Sequence, residues 1–424
     1  MTDDPEADSG ADADVATDGG ADPDAAALAD RVADGELRLY ELEDHADAET
    51  AARARRLAVE RDAGVDLSAT GEYTFPAESV DSNVENLVGA TQIPMGVAGP
   101  VTVDGEAAEG EYYLPIATTE GALVASVNRG CATIGAAGGA TVRITKRGMT
   151  RAPVFSVSDV SEGAEVAEWV EENEHRLAAA AEETTRFGRL QEITPYIVGD
   201  NVFLRFSYHT GDANGMNMAT IATRAAAELV EEETPASLVA LSGNLCTDKK
   251  PAAINAVEGR GHSVTADVTI PRATVEERLG TTPEAVAEVN TRKNLVGSAK
   301  AGSLGFNAHA ANVVAGVFLA TGQDEAHVVE GSNCITTVEA RDEELYASVS
   351  LASLQVGTVG GGTDLATQSE ALELLGVAGG GDPPGTNADA FAEVVAAGAL
   401  AGELSLLSAL SSRHLSSAHE ELGR

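Results

Sequence analysis

Hydrophobic and polar positions along the chain predict helices and strands in irregular order. Alternation at Val202, Leu204, Phe206 and Tyr208 is typical of a half-buried strand. Turn glycines follow in HTGDANGMNM, before a helix predicted from about Met216 to Glu232. Further strands are predicted at 262–270 and 345–356, and further helices at 44–62 and 163–185. This order favours the α+β class.

Three apolar stretches bear on the core. Residues 389–414 are apolar on nearly every helical turn, which predicts a deeply buried last helix. The uncharged stretch 301–323 contains polar residues and glycines, so it predicts a buried helix and not a membrane span. The segment VENLVGATQIPMGVAG at 84–99 indicates a loop that packs inside a core or against another subunit.

Composition and charge narrow the class of protein. The 424 residues carry a formal charge of −41, with 68 acidic and 27 basic residues spread along the whole chain. Such a field repels nucleic acid and anionic membranes, and with the scarcity of lysine it indicates a salt-rich cytoplasm. Residues 1–30 hold ten acids and no base, which predicts a disordered tail. No signal peptide is visible, so a cytoplasmic location is predicted.

The cysteines and lysines are few. Three widely spaced cysteines, Cys131, Cys246 and Cys334, indicate neither disulfides nor a zinc site, and no metal ligands are predicted. Only five lysines occur, and two are adjacent in SGNLCTDKKPAAIN. A lysine pair on a solvated loop is the ordinary alternative, but an ammonium suits a carboxylate or a developing oxyanion.

Other acids and histidines are candidates for proton transfer. Glu120 stands alone in the apolar run PIATTEGALVASVNRGC, where a raised pKa would suit a general acid, or where it marks a helix N-terminus. Asp324 follows the uncharged stretch and is equally consistent with a turn residue. His414 and His419 are five residues apart and do not act as one pair. No glycine run matches a dinucleotide or phosphate-loop motif.

Taken together, these stretches resemble the 3-hydroxy-3-methylglutaryl-coenzyme A (HMG-CoA) reductases of class I, the archaeal and eukaryotic type. The resemblance runs from about residue 84 to 419 through motifs in the family's order: ENLVGATQIPMGVAGP, TTEGALVASVNRGC, GMTRAP, GDANGMNM, SGNLCTDKKPAAIN, NAHAAN, GQD, GTVGGGT and HLSSAH. With the acidic composition, it points to a halophilic archaeal source.

The resemblance implies a domain plan and an activity. It implies a disordered tail (1–30), a helical region (31–75), a large substrate and dimerisation domain (76–151 and 241–424) with a long buried helix, and an inserted, ferredoxin-like NADPH domain (152–240). The implied reaction reduces HMG-CoA with two NADPH to mevalonate and coenzyme A (CoA), for isoprenoid synthesis. The implied assembly is a homodimer or dimer of dimers, with active sites shared between subunits and ENLVGA in the contact.

The resemblance also assigns residues. It implies the catalytic set Glu120, Lys249, Asp324 and His419, with Asp324 hydrogen-bonded to both Lys249 and Glu120. Implied substrate contacts are Arg151, Ser242, Lys250, Lys293, Ser126, Asn128 and Arg129. Implied cofactor contacts are Arg186, Asp212, Gly215, Met216, Asn217 and Asn312. Asn214 departs from the methionine common in the family.

Two alternatives stay open. The same fold could run in reverse with NADH and degrade mevalonate, although Arg186 and the TDKK sequence favour NADPH. Alternatively, the chain could be an acidic scaffold without activity, although retention of four scattered catalytic residues argues against it. Cofactor preference and turnover distinguish these alternatives.

Overall fold

The computed structural model describes residues 23–412, which divide into two units at residue 92/93. The first unit contains α1 (Pro23–Ala33), α2 (Ala48–Ala63) and 3-10 turns at Leu39–Asp44, Ala69–Gly71 and Ala77–Val80. The predicted disordered tail extended too far, because α1 already begins within it. Leu28 of α1 belongs to a small apolar core shared with α2, and this burial stabilises the helix.

The second unit contains the remaining helices and strands. Its first part comprises β1 (Met95–Asp104), β2 (Glu109–Ala117), α3 (Leu123–Ala136), β3 (Ala140–Arg151), β4 (Val154–Ser156), α4 (Val160–Glu172), α5 (Glu174–Glu182), β5 (Arg189–Val198), β6 (Asn201–His209), α6 (Met216–Glu233) and β7 (Ser237–Ala240). Its second part comprises α7 (Ala253–Glu258), β8 (Gly261–Pro271), α8 (Arg272–Leu279), α9 (Pro283–Val289), α10 (Ser298–Ala301), α11 (Ala310–Thr321), α12 (Val328–Gly331), β9 (Cys334–Arg341), β10 (Glu344–Leu354), α13 (Ala366–Leu374) and α14 (Thr386–Ser411). A π-helical segment spans Asn290–Gly297, and 3-10 turns span Glu325–His327 and Gly361–Asp364.

Strand β3 belongs to two sheet regions. Residues 141–148 of β3 pair antiparallel with β8, and the sheet continues to β10 and β9. Residues 140 and 141 pair parallel with β1, which pairs with β2. The last residues of β3 pair with β6 in the order β7–β4–β6–β5. The strands and helices of this second region follow as β–α–β–β–α–β, with α4 and α5 together at the first helical position. The ferredoxin-like class and the predicted domain boundaries remain predictions.

Helix α14 is the centre of the larger core and is tied to the sheet by two buried glutamates. The Glu393 carboxylate accepts backbone N–H groups of residues 106, 107 and 108 in the β1–β2 turn at 2.7–3.0 Å. The Glu403 carboxylate accepts the N–H groups of Ala308 and His309 and the hydroxyl of Thr336, each at 2.7 Å. Among the described residues, α14 alone is long and apolar enough to cross a membrane, but 78% of its most apolar window is buried inside the fold.

The predicted elements agree with the structure except where local contacts intervene. The predicted strands correspond to β6, β8 and β10, and the predicted last helix corresponds to α14. The helix predicted at 163–185 is interrupted at Asn173, which separates α4 from α5. The helix predicted at 301–323 was too long, because α10 ends at Ala301 and α11 begins only at Ala310, after a backbone segment that Glu403 holds.

Candidate functional site

The loop that contains the lysine pair has an unusual backbone. Asn244, Thr247 and Lys249 have φ angles of 63°, 49° and 58°, in the left-handed region that side-chain-bearing residues seldom adopt. The Gly243 N–H donates to Ala152 at 2.7 Å, and the Lys249 N–H donates to Glu330 Oε1 at 2.6 Å. Residues held in such conformations by their surroundings cluster at functional sites, so the backbone marks this loop as a candidate functional site.

Lys249 and Asp324 form an ion pair that is open to solvent. Lys249 Nζ lies 2.8 Å from Asp324 Oδ2, and their side chains are 44% and 38% exposed. The hydrogen bond with Asp324 raises the pKa of Lys249. Burial acts to raise the pKa of Asp324, but the hydrogen bond from Lys249, the charges of His327 and Lys249 and the Ala326 N–H together outweigh it, so the pKa is lowered. At neutral pH the pair is therefore an accessible ammonium beside a carboxylate.

Asp324 is fixed by its position between two helical segments. Gly322 ends α11 in the left-handed conformation, and Asp324 caps the following 3-10 turn by accepting the Ala326 N–H at 3.1 Å. One carboxylate thus caps a turn and faces the lysine. The Lys249–Asp324 contact implied by the resemblance is present.

Behind the pair lies a buried network of charged groups. Asp248 Oδ1 accepts from Arg260 and from His327 Nε2, each at 3.0 Å. Arg260 and Glu330 are fully buried and lie 3.5 Å apart. Burial acts to raise the pKa of Asp248, but the His327 hydrogen bond and the Arg260 charge outweigh it, so the pKa is lowered. The loop therefore rests on charges that compensate one another inside the fold.

Arg151 and Ser242 lie on the other side of the same loop. Arg151 Nε donates to Thr220 Oγ1 at 3.0 Å, and Ser242 Oγ is 3.8 Å from Cys246 Sγ. Burial acts to raise the pKa of the Cys246 thiol, but the Ser242 contact and the charges of Arg260 and Arg151 outweigh it, so the pKa is lowered. The structure therefore brings Arg151 and Ser242 close to this thiol in the lysine loop.

The two other predicted substrate lysines are exposed. Lys250 Nζ donates to the Asp248 carbonyl at 2.9 Å. Lys293 lies on the π-helical segment, and within residues 23–412 its ammonium forms no ion pair. Both are therefore available to an anion.

Glu120 does not form the implied hydrogen bond with Asp324 within residues 23–412, and its catalytic role stays a prediction. Glu120 is exposed before α3, and its N–H donates to Thr118 Oγ1 at 3.0 Å. Among the described residues, no hydrogen bond joins its carboxylate to Asp324 or Lys249. The surrounding sequence is apolar because β2 and α3 bury their side chains, whereas the loop between them faces outward.

The predicted CoA residues on α3 make contacts within the fold. The Ser126 hydroxyl lies 2.9 Å from Ser405 Oγ on α14, and Arg129 donates to the Ser405 carbonyl at 2.7 Å. Burial lowers the pKa of Arg129. Asn128 is exposed and accepts the Gly99 N–H at 3.1 Å. Ser126 and Arg129 therefore also join α3 to α14.

Asp212 has a structural role that the sequence did not predict. Its buried carboxylate accepts the backbone N–H groups of residues 381, 385, 387 and 388 at 2.8–3.1 Å. Three of these groups lie at the N-terminus of α14, where helical N–H groups have no partner within the helix. The implied cofactor contact of this carboxylate stays a prediction beside its structural role.

The rest of the predicted cofactor motif lies at the start of α6. Gly215 is the N-cap with φ 79°, and a Cβ there would lie 2.3 Å from Thr210. Met216 Sδ contacts Arg260 at 2.7 Å, and Asn217 is exposed. This end of an 18-residue helix presents backbone N–H groups near an exposed amide side chain.

The remaining predicted residues lie elsewhere. Arg186 is exposed, with its guanidinium 5.1 Å from the centre of the Phe187 ring. Asn312 donates toward His309 Nδ1 at 3.3 Å in the first turn of α11. His414 and His419 lie outside the described residues.

The sequence interpretation missed the buried network behind Lys249. His327 follows Asp324 by three residues, a spacing that brings two side chains to one side of a helical turn, and this was a usable signal. Arg260 and Glu330 had no comparable signal, because their partners come from distant parts of the chain.

The chain is similar to known proteins along most of its length. Residues 51–424 match the family model described as hydroxymethylglutaryl-coenzyme A reductase. The protein of that name from Haloferax volcanii is 71% identical over 401 residues, covering 95% of this chain and 100% of that protein. The Halobacterium salinarum protein is 71% identical over 402 residues, covering 95% and 99%.

A solved structure shares the fold. It is a class II HMG-CoA reductase from Streptococcus pneumoniae, bound to NADPH in open conformations, with a TM-score of 0.64 and 20% identity. The match covers 84% of this chain and 82% of the other. The family model over residues 51–424 and the two relatives at 71% identity show that the chain belongs to the hydroxymethylglutaryl-coenzyme A reductase family.

Proposed function

We propose that the chain reduces HMG-CoA to mevalonate and CoA with two NADPH, in the mevalonate pathway. The observation that carries this proposal is the accessible Lys249–Asp324 ion pair, 2.8 Å between Nζ and Oδ2, on a left-handed turn of the loop. Family membership supports the substrate and the direction of the reaction.

Lys249 would stabilise negative charge in both reductive steps. Hydride addition turns the thioester carbonyl into an alkoxide, which the Lys249 ammonium neutralises. The C–S bond then breaks, giving a CoA thiolate and an aldehyde, and a second hydride addition makes a second alkoxide. Asp324 orients the ammonium and keeps it protonated, because the hydrogen bond between them raises the pKa of Lys249.

Two further residues would supply protons. We assign His419 to the CoA thiolate and Glu120 to the second alkoxide, as the family resemblance implies. Each proton consumed must come from a protonated acid, and Asp324 cannot serve at neutral pH because its lowered pKa leaves it ionised. The exposed position of Glu120 leaves its carboxyl open to a bound substrate.

NADPH supplies the hydride in both steps. The residues at the start of α6 fit an anionic dinucleotide. Gly215 carries no side chain that would cover the backbone N–H groups of the helix N-terminus, and Asn217 beside them is exposed to solvent. The exposed Arg186 guanidinium suits a 2′-phosphate. Met216 and Asn312 are assigned to the same site on the resemblance alone. Asp212 would act indirectly, because its carboxylate holds the backbone of residues 381–388 at the start of α14.

The remaining assigned residues would bind the thioester substrate. Lys250, Lys293, Arg151 and Ser242 offer three cations and a hydroxyl to the hydroxymethylglutaryl carboxylate and hydroxyl. Asn128 is the exposed member of the proposed CoA contacts, whereas Ser126 and Arg129 also hold Ser405.

We also propose a homodimer, or a dimer of dimers, whose subunits share active sites. Met95 and Val97 of β1 are 49% and 46% exposed in the single chain, and Ile93, two residues before Met95, is exposed as well. Exposed apolar residues at three alternate positions of one extended segment indicate a protein contact. Such a contact could bring Glu120 of one subunit to the lysine of another.

The proposed function is tested by stoichiometry in molar KCl. We expect two NADPH oxidised and one free thiol released for each HMG-CoA consumed, measured by absorbance and thiol titration. NADH in place of NADPH should support little turnover. A preference for NADH would favour the catabolic alternative, and absence of turnover by folded protein would favour the inactive scaffold.

The pH dependence of kcat should reveal the ion pair. In Asp324→Asn, the hydrogen-bonding group that raises the pKa of Lys249 is lost, so we expect the alkaline fall in kcat to move to lower pH. The ammonium stays charged until the pH exceeds the pKa of Lys249. A lower pKa in the variant therefore moves the loss of charge, and with it the fall in kcat, to lower pH. The measurement is kcat from pH 6 to above pH 10.5, the ordinary lysine value, with Asp200→Asn, an exposed turn residue, as control. An unmoved alkaline limb would show that Lys249 does not govern it.

A further inference from the structure

His327 is buried at the point where the charged network meets the Lys249–Asp324 pair. Its Nε2 lies 3.0 Å from Asp248 Oδ1 and 3.9 Å from Asp324 Oδ2. On the other side of the ring, Nδ1 lies 3.3 Å from Asn214 Nδ2. The ring is fully buried, so these protein groups form the polar surroundings of its two nitrogens among the described residues.

The neighbours of the ring select one tautomer. The Asn214 amide N–H donates to Nδ1, which must then carry a lone pair, so the ring proton is on Nε2. That N–H points to Asp248 and has Asp324 as its second neighbour. In this tautomer the imidazole donates a hydrogen bond to Asp248, and Asp324 Oδ2 lies 3.9 Å from the same nitrogen.

The charges around the ring show why such a donor is useful. Three carboxylates, Asp248, Asp324 and Glu330, share two cations, Lys249 and Arg260. Arg260 binds Asp248 and Glu330, which leaves Lys249 to Asp324. A donor between Asp248 and Asp324 offsets the repulsion between these carboxylates, which would otherwise move the more exposed one outward.

We propose that His327 is a positioning residue that holds Asp324 against the Lys249 ammonium, with Asn214 setting its tautomer. This rests on the proposed function, since it gives Lys249 and Asp324 their roles. Asn214 lies in the loop leading to α6, where NADPH is assigned, so a single side-chain contact connects that loop with the reducing pair.

The test compares two replacements of the histidine. His327→Leu removes both ring nitrogens and should lower kcat about tenfold or more, with KM for HMG-CoA within about threefold. His327→Gln retains an N–H near the Nε2 position and should restore kcat to within about threefold of wild type. His175→Leu, at an exposed position of α5, is the control and should leave kcat unchanged.

A double-mutant cycle tests the part of Asn214. Asn214→Ala should lower kcat in the wild-type background but not in His327→Leu, because the contact is already absent. Additive effects would remove Asn214 from the proposal. Wild-type kcat in folded His327→Leu, or a glutamine variant as slow as leucine, would overturn the role of His327.

A crystal structure of His327→Leu provides a readout that does not need turnover. The separation of Lys249 Nζ and Asp324 Oδ2 should lengthen beyond about 4 Å, the limit of an ion pair. An unchanged separation of 2.8 Å would overturn the proposal. A wild-type protein without reductase activity would instead refute the proposed function, and the crystal structure would still decide the positioning.

Discussion

Replacing Lys249 with alanine is expected to lower kcat about 1,000-fold, with little effect on the thermal midpoint of unfolding. The large effect follows because the ammonium acts on charge that develops only during hydride addition, where one lost electrostatic group typically costs this much. The small stability effect follows because the ion pair is about 40% exposed, and exposed pairs contribute little to folding.

The kinetic constants distinguish catalysis from binding in this variant. Loss of transition-state charge stabilisation lowers kcat and leaves KM for HMG-CoA within a few fold. Lys300→Ala is the matched control, because Lys300 is an exposed lysine outside the proposed site. If Lys249→Ala mainly raised KM, the lysine would serve as a carboxylate ligand, and the oxyanion role would be wrong.

Replacing Asp212 with alanine is expected to lower the free energy of unfolding by about 3 kcal/mol or more. Four backbone N–H groups lose a charged acceptor, three of them at the start of the central helix, and unpaired buried donors are costly. Calorimetry or denaturant unfolding in molar KCl measures the change. Asp200→Ala should have little effect, because its carboxylate accepts only one side-chain N–H at an exposed turn.

This prediction also separates two roles for Asp212. A direct cofactor contact would raise KM for NADPH at unchanged stability. A structural cap should lower stability first, and the remaining folded enzyme should bind NADPH nearly as wild type does. Unchanged unfolding of Asp212→Ala would restore the cofactor interpretation.

The sequence predicted periodic elements well and their interruptions poorly. The strand around Phe206 and the helix after Met216 follow from local periodicity, and the structure places both within a residue of the predicted bounds. The shorter α11 did not follow, because the backbone before it is held by Glu403 from a distant helix. Periodicity indicates which side chains are buried, but it does not show which distant side chain forms hydrogen bonds with the backbone.

The candidate site shows the same division. Lys249 and Asp324 were identified from motifs, and the structure pairs them directly. Asp212 belongs to an equally recognisable motif, yet its carboxylate binds backbone groups more than 160 residues away in the chain. A motif identifies a residue, but only the tertiary contacts show whether its side chain is placed for catalysis or for holding the fold together.

The three carboxylates that hold the central helix limit how the chain could be redesigned for dilute buffer. Replacing acidic residues by neutral ones is the obvious way to reduce a charge of −41. Asp212, Glu393 and Glu403 are buried and accept hydrogen bonds from main-chain N–H groups. Neutralising them would remove hydrogen bonds that hold the fold together, and would not reduce the charge of the surface. A low-salt variant should therefore be sought among the exposed acids, with these three positions left as they are.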